Sequence, residues 1–532
     1  MPESFTILDS LIILLYLAIV ILISFYNSKR KDPTVESYFL ARRDLGWFAI
    51  GISLFATNIS SEHFIGLAGS GASRGLVVGH FELFAIFFLI ILGWFLAPIY
   101  RNSNLFTFPE FIGKLFDQRT RRLFGSLSIF TYLVTKILVT LFASGILFNK
   151  IFGWSIFVSA VVIVLITGIY TLVGGFDTVI RTQIFQGILL LVGGGLTVYF
   201  GLNEVGGISA LKEKLPADFF VMFKDISDPD FPWTGIIFGA PIIAFWYWCA
   251  DHYMLQRIFG ARSLNDARNG TFLAAFLKLF PMIIFVLPGL IAVALFPEIR
   301  GDEAYPQLIA SGILPIGIKG LVVSGVLAAI MSSLAASFNS ISAIYTIDFY
   351  RVKNPDSSDR TLVLVGRMTT IFVVVVVITL IPFVRLISSQ LFIFLQSTQA
   401  YVSAPITAVL VLGFVLKEIN AKSAFASIIV GEIFGLSRFL LEVLNQYSVL
   451  SNKFLISILQ INYLHFTIFL FVGTASLLLF LNYVVRYGEN VTVKNYLNIL
   501  EAGTGGSSTV KMNLLYSGLL LILTIGLWTV LM

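Results

Sequence analysis

Fourteen times between residues 5 and 531 the chain passes through about twenty mainly apolar residues, and no other feature restricts its fold as severely. The runs fall at 5–27, 47–71, 76–100, 124–148, 153–174, 183–203, 235–257, 271–296, 317–347, 366–384, 390–416, 423–444, 463–485 and 513–531. Inside hydrocarbon a backbone must satisfy its own polar groups, so runs of this length predict spanning helices. The expected fold is therefore an all-α polytopic membrane protein of about 14 transmembrane helices. Only 12% of the 532 residues are charged, and the longest polar connections, 201–233 and 486–512, are too short to bury a core of their own. One transmembrane domain over 1–532 is expected.

The net charge of +6 has a membrane explanation and does not call for nucleic acid. An even number of spans places both termini on one side. If Lys29, Arg30, Lys31, Arg42 and Arg43 face the cytoplasm, alternation gives cytoplasmic segments 23 Lys and Arg, among them Arg181, Arg257, Arg268 and Arg351. The opposite side has nine, and Lys136, Lys278 and Arg438 lie within spans. The positive-inside rule then predicts N- and C-termini outside a plasma or cell inner membrane. The first run lacks a cleavage-site pattern and reads as a retained span. The only cysteine, Cys249, lies in a span, where a small buried packing residue is expected.

One apolar region is interrupted in a way lipid does not tolerate. From Ser53 to Glu82 the chain carries Thr57, Asn58, Ser60, Ser61, Glu62 and His63 almost in succession, followed by Gly66, Gly69 and Gly71. Such an interruption belongs where the chain is wrapped in protein or lines a wet cavity, so a broken helix at a binding site is expected. Glu82 lies about 9 Å below the outer boundary at 1.5 Å per residue. Lys278, on a span rising from the other face, is its natural counter-ion, either as a structural pair or as part of a site. Lys136 is equally deep, with no obvious carboxylate partner in sequence.

Further along, the Gly174–Gly175 pair within 170–186 reads as a helix end and restart, with Asp177 and Arg181 near the inner surface. Pro241 is expected to kink or break the span at 235–257. Trp246, Tyr247 and Trp248 follow, then Asp251 and His252. The aromatics suit an interfacial belt or stacking on a sugar ring. Ser332, Ser333, Ala335, Ala336 and Ser337 suit close helix packing, and the paired hydroxyls also suit a hard cation such as Na⁺. Gln396, Ser397, Thr398, Gln399, Tyr401 and Ser403 are groups for a polyhydroxylated ligand, and Glu432, Arg438 and Glu442 are spaced to pair along one helix. No nucleotide-binding glycine loop or metal-ligand spacing appears, so neither an enzyme nor an ATP-dependent protein is expected.

The runs SLFATNISSEHFIGLAGSGASRG, WYWCADHYMLQR, FLKLFPM, MSSLAASFNS followed by YTIDFY, and FLQSTQAYVSAP together resemble the sodium/solute symporter family, most of all its sodium/glucose cotransporter branch. The resemblance covers nearly the whole chain in order. It implies a core of two inverted five-helix repeats with discontinuous helices, here 47–203 and 235–416, preceded by the helix at 5–27 and followed by peripheral helices in 423–531. It implies a sodium site from backbone oxygens of Ala56, Ile59 and Ala329 and hydroxyls of Ser332 and Ser333. The implied sugar site is Asn58, His63, Glu82, Lys278 and Gln396, with Tyr247 as inner gate, Trp248 beside it, and Leu67, Phe81 and Phe392 as outer lid. Gln183 and Ala335 replace residues tied in relatives to sodium exit or a second ion, so one Na⁺ per cycle is expected. Ile393 and Ala244 replace two sugar-contacting polar residues. The implied function is Na⁺-coupled import of a monosaccharide of the glucose or galactose type. The alternatives are a symporter of myo-inositol, another polyol or another small solute, and a sodium-permeable sugar sensor.

Overall fold

A computed structural model describes residues 5–28, 34–299, 301–382, 390–416, 418–484, 490–492 and 507–531. Of the basic residues used to orient the chain, Lys29, Arg30, Lys31, Arg300, Arg385, Lys417, Arg486 and Lys494 lie outside these. The described chain is almost entirely helical, apart from a three-residue ribbon pairing Glu418–Asn420 with Asn490–Thr492. We number the main helices α1 (Ile7–Ser28), α2 (Trp47–Asn58), α3 (Glu62–Asn102), α4 (Gln118–Phe152), α5 (Ile156–Val205), α6 (Trp233–Phe259) and α7 (Leu264–Leu295). They continue with α8 (Ile318–Lys353), α9 (Asp359–Leu380), α10 (Leu391–Val415), α11 (Ala421–Gln446), α12 (Lys453–Leu459), α13 (Tyr463–Val484) and α14 (Ser507–Leu531).

Twelve of these are long and apolar enough to cross a membrane, against the fourteen runs in the sequence. The difference lies at breaks inside the runs. The fifth and sixth runs are two helices joined directly at Gly175 and counted together as α5; there the backbone leaves helical geometry (φ 59°, ψ −158°), which favours glycine, and the missing Cβ lets Tyr38 pack against the backbone. The run at 47–71 is divided between α2, which is only 12 residues long, and the start of α3. The helix thus ends and restarts at Gly175 as the glycine pair predicts, with Asp177 part-exposed and Arg181 exposed just beyond it.

Helix starts follow local chemistry. Ser263 accepts from the Asp266 amide (3.0 Å) at the start of α7, while the Asp266 carboxylate takes the Trp47 amide (3.0 Å) at the start of α2. Ser155, Ser358 and Asn420 cap α5, α9 and α11 in the same way. The most extensive contact in the molecule joins α5 to α8, and α2 lies along α7. In its central window α8 is 94% buried, while α1, α13 and α14 expose most of their apolar surface, as lipid-facing helices do.

Two breaks organise the centre. α2 ends at Asn58, Ile59 is extended (φ −74°, ψ 111°), and helix resumes at Glu62. α6 is interrupted at Asp251 (φ −89°, ψ 121°). Pro241 begins a short helical segment after a kink at Gly239, so the full break lies ten residues beyond the expected position. Three wide, π-helical segments adjoin this region: Glu62–Leu67, Tyr132–Leu138 and Trp246–Ala250. Away from the centre, Arg438 pairs with Glu442 (2.8 Å), whereas both carboxylate oxygens of Glu432 have no hydrogen-bond partner, so the expected three-residue ladder is a single pair.

Candidate functional site

The break after α2 gathers the polar residues of four helices. Asn58 donates its side-chain amide to the Tyr247 hydroxyl (3.1 Å), and its side-chain carbonyl accepts from Lys278 Nζ (2.6 Å). The same ammonium makes a short ion pair with Glu82. Glu82 is also 3.3 Å from His63 Nε2. The Ser60 amide donates to His63 Nδ1 (3.4 Å), which leaves the ring proton on Nε2, where it faces the carboxylate. The Lys278 ammonium sits 5.6 Å from the Trp248 ring centre.

Asn58, His63, Phe81, Glu82, Tyr247, Trp248, Lys278, Phe392 and Gln396 all line one cavity, joined by Glu62, Ile243, Ala244, Leu395 and Gln399. Its volume, about 50 Å³, suits a few waters, so a hexose needs the walls to part. Phe81 and Phe392 close one side as an edge-to-face pair 5.4 Å apart. Leu67 is fully buried but does not line the cavity. All three residues of the aromatic run are buried, so they form no interfacial belt; Tyr247 and Trp248 face the cavity and Trp246 does not. Ala244 faces it as expected. Ile393, by contrast, faces a different cavity on the other side of α10.

A second cluster lies against the same break. The Ser332 hydroxyl is 2.8 Å from the Ala56 carbonyl and 2.9 Å from the Ala329 carbonyl, and the Ser333 hydroxyl is 3.3 Å from the Thr57 carbonyl. Tyr253 donates to the carbonyls of Thr57 (3.0 Å) and Ser333 (3.4 Å). Neutral carbonyl and hydroxyl oxygens of this kind suit a hard monovalent cation. Ile59 is buried at the break, and no contact of its carbonyl joins this set. Among the described residues no group of three or more His, Cys, Asp or Glu could hold a metal, so a cation here would rest on uncharged oxygens.

Below this cluster lies a network that the linear sequence does not reveal. Arg257, counted there as an inner-surface charge, is fully buried and donates to Ser53 Oγ (3.1 Å) and Gln183 Oε1 (3.2 Å), and its guanidinium also reaches Thr57 Oγ1 (2.6 Å). Gln183 in turn accepts from Ser53 Oγ (2.6 Å) and donates to the Ser332 carbonyl (3.2 Å). Lys136 also finds a setting. Its ammonium lies 4.1 Å from the Tyr247 ring centre and 5.2 Å from that of Tyr253, with no hydrogen-bond partner. Two ring faces hold it, and the carboxylates of Glu62 and Asp251 attract it without a direct hydrogen bond.

Comparison with known proteins gives a consistent result. The family model described as "Sodium:solute symporter family" matches residues 38–431. Sodium/myo-inositol cotransporter 2 of Sus scrofa is 36% identical over 82% of this chain and 70% of its own length. Sodium/glucose cotransporter 2 of Rattus norvegicus is 35% identical, over 82% and 72%. A solved structure of a Na⁺-coupled sialic acid symporter, in a substrate-bound outward-open state, shares the fold with a TM-score of 0.75 over 91% of this chain and 99% of its own, at 22% identity.

Proposed function

The chain belongs to the sodium:solute symporter family, and from that premise we propose that it imports a monosaccharide or closely related polyol together with one Na⁺ by alternating access. The observation that carries this reading is the shared use of one helix break. Asn58 and Glu82 hold the Lys278 ammonium, while two residues before Asn58 the Ala56 carbonyl meets the Ser332 hydroxyl. A cation replacing that hydrogen bond, held by Ala56, Ala329, Ser332 and Ser333 with the Ile59 carbonyl turned in, ties α2 to α8 and orders Asn58. Sodium thereby favours the solute-competent arrangement. By linkage the solute tightens sodium equally, with a coupling of about 1–3 kcal/mol.

The central cavity suits hydroxyl recognition. Glu82 accepts, Lys278 and His63 donate, and Gln396 and Asn58 do both. The Glu82–Lys278 charges cancel, which favours a neutral solute over an anion. Tyr247 and Trp248 present faces to the ring carbons. With a neutral cation site, one positive charge crosses per cycle, driven by about 2.3 kcal/mol per 100 mV across the full field. We read 47–203 and 235–416 as the two inverted halves, Phe81 and Phe392 with Leu67 behind them as the outer lid, and Tyr247 as the inner gate. The basic residues orient both ends to the outside of a plasma or cell inner membrane.

Similarity to both a myo-inositol and a glucose cotransporter keeps both solutes within this reading, and the apolar Ala244 on the central cavity weakens the case for glucose alone. The test is uptake by purified protein in liposomes. Labelled glucose, galactose and myo-inositol are each offered with an inward Na⁺ or K⁺ gradient. Accumulation of one of them above its outside concentration, with Na⁺ only, is the expected result. Equal uptake with K⁺, or sugar-evoked current without uptake, overturns it.

A further inference from the structure

Glu62 is a charge on the wall of the central cavity that no hydrogen bond answers. It stands where helix resumes after the first break, at the head of the π-helical turn Glu62–Leu67, and lines the cavity beside His63. Only 4% of it is exposed. The His63 ring lies between two carboxylates, with Nε2 3.3 Å from Glu82 and Nδ1 3.8 Å from Glu62. The longer distance is beyond a hydrogen bond, and Nδ1 already accepts the Ser60 amide (3.4 Å). His63 therefore gives its ring proton to Glu82 and none to Glu62. The Ser60 hydroxyl meets the backbone amide of Glu62 (3.2 Å), not its carboxylate. Among the described residues no donor lies within hydrogen-bond distance of the Glu62 carboxylate oxygens.

The cations nearby are engaged elsewhere. Lys278 is held by Glu82 and by the Asn58 side-chain carbonyl (2.6 Å). Lys136 lies over the rings of Tyr247 and Tyr253 and is shared electrostatically between Glu62 and Asp251. Both ammonium groups attract Glu62 at a distance, and neither donates to it. Because Glu82 cancels Lys278, Glu62 leaves the lining of the cavity with one negative charge. A buried carboxylate without a donor is unfavourable unless something occupying the space supplies one.

We propose that Glu62 is a specificity-determining residue that receives a protonated amine, so that the preferred solute is an amino sugar or an aminated polyol. The hydroxyl contacts rest on the reading of the central cavity given above, while the amine rests on Glu62. An ammonium group brings three donors to oxygens that have none and cancels the charge of the lining. A hydroxyl in its place brings one donor and leaves the charge. With such a solute two positive charges enter per cycle, one on Na⁺ and one on the amine.

The test is uptake by purified full-length protein in liposomes with an inward Na⁺ gradient, at a slightly acidic pH that keeps the amine protonated. Labelled glucosamine, N-acetylglucosamine and glucose are compared, with myo-inositol and an aminodeoxyinositol as a second set. In the accepted set the aminated member half-saturates at a concentration about tenfold lower than its hydroxyl parent. N-acetylglucosamine, which keeps the nitrogen and loses the charge, gains nothing over glucose. Current recorded with uptake gives about two charges per aminated molecule against one for the parent. Glu62→Gln, with its melting temperature checked, removes the advantage of the amine, and the wild-type comparison stands whether or not this variant folds. No advantage for the aminated member in the wild type, or an advantage that survives in folded Glu62→Gln, overturns the proposal. If Na⁺ drives uptake of glucose or myo-inositol and the amine brings no advantage, the central reading stands while this one falls; if Na⁺ drives uptake of no member of either set, both fall.

Discussion

The two helix breaks use the same backbone device to different ends. At Asp251 the interruption is sealed from within. Its carboxylate Oδ1 accepts from the Tyr253 amide (3.1 Å) and from Tyr132 while the buried Oδ2 has no hydrogen-bond partner, its carbonyl takes the amides of Met254 and Leu255 (3.0 Å each), and the Cys249 carbonyl takes Tyr100 (2.7 Å), so it is the backbone groups that are sealed. At Ile59–Ser60 the freed groups are answered by movable partners: the hydroxyls of Ser332, Ser333 and Tyr253 on the carbonyls of Ala56 and Thr57, and an imidazole nitrogen on the Ser60 amide. A hydroxyl that holds a carbonyl can give it up to a cation; a helix cap that holds an amide gains nothing by leaving. The first break is thus built to exchange partners with ligands and the second to fix the shape around it.

The largest effect that tests this contrast is at the open break. Lys278→Met strands Glu82 as a buried charge, so stability falls by about 3–5 kcal/mol, and Na⁺-driven uptake falls by about two orders of magnitude, the factor that roughly 3 kcal/mol of lost binding produces. Adding Glu82→Gln restores the melting temperature and leaves uptake lost. If the double variant recovers uptake as well, the pair is scaffolding and the contrast fails. Ser332→Ala comes next. The half-saturating Na⁺ concentration rises about tenfold, roughly 1.4 kcal/mol, while maximal solute uptake at high Na⁺ persists. The sealed break behaves differently: Asp251→Ala costs about 0.5–2 kcal/mol of stability through the lost cap, with Na⁺ and solute affinities of the folded protein unchanged. An affinity loss in Asp251→Ala as large as in Ser332→Ala erases the distinction.

How far this was readable from the chain follows the same division. The open break is visible because Asn58, Ser60, Glu62 and His63 are polar where lipid forbids it. Glu82 and Lys278 stand out as lone charges in apolar runs, and the Ser332–Ser333 pair is an unusual polar step in a helix of small residues. The sealed break is hidden, because Asp251 is a single intramembrane polar residue with no polar run around it, and Pro241, the stronger signal, marks only a kink. Arg257 was misplaced at the surface because its partners, Ser53, Thr57 and Gln183, are uncharged and distant in sequence. Lys136 shows no partner along the chain because Glu62 and Asp251, whose charges reach it, lie on other helices and the rings of Tyr247 and Tyr253 carry no charge signal. The π-helical turns that set His63, Lys136 and Tyr247 leave no periodicity to read.

The smallest effect concerns what steadies the outer arm of the open break. Asp302, in the connection between α7 and α8, accepts from the Leu391 amide (3.0 Å) at the start of α10 and packs against Gly69, where a Cβ would lie 2.6 Å from its carboxylate. Burial pushes this carboxyl up to about 8 from an ordinary value of 3.8, against the downward pull of the Leu391 hydrogen bond. A proton is therefore held in the closed arrangement that a solvated Asp302 gives up, so the closed form gains its full contribution below the ordinary value and loses it as pH rises through about 8. The protection of the α10 amides from Leu391 to Phe394 against hydrogen exchange, corrected for intrinsic rate, should fall by at most about tenfold per unit, since one proton is involved, as pH rises from the ordinary value of 3.8 to about 8, and level off above it. Asp302→Asn, neutral throughout, should show a flat profile, and the amides around Asp251 should show none of this dependence in either protein. Identical profiles for wild type and Asp302→Asn remove Asp302 from the outer closure; a matching fall around Asp251 shows that the two breaks loosen together, and that the one called sealed is not.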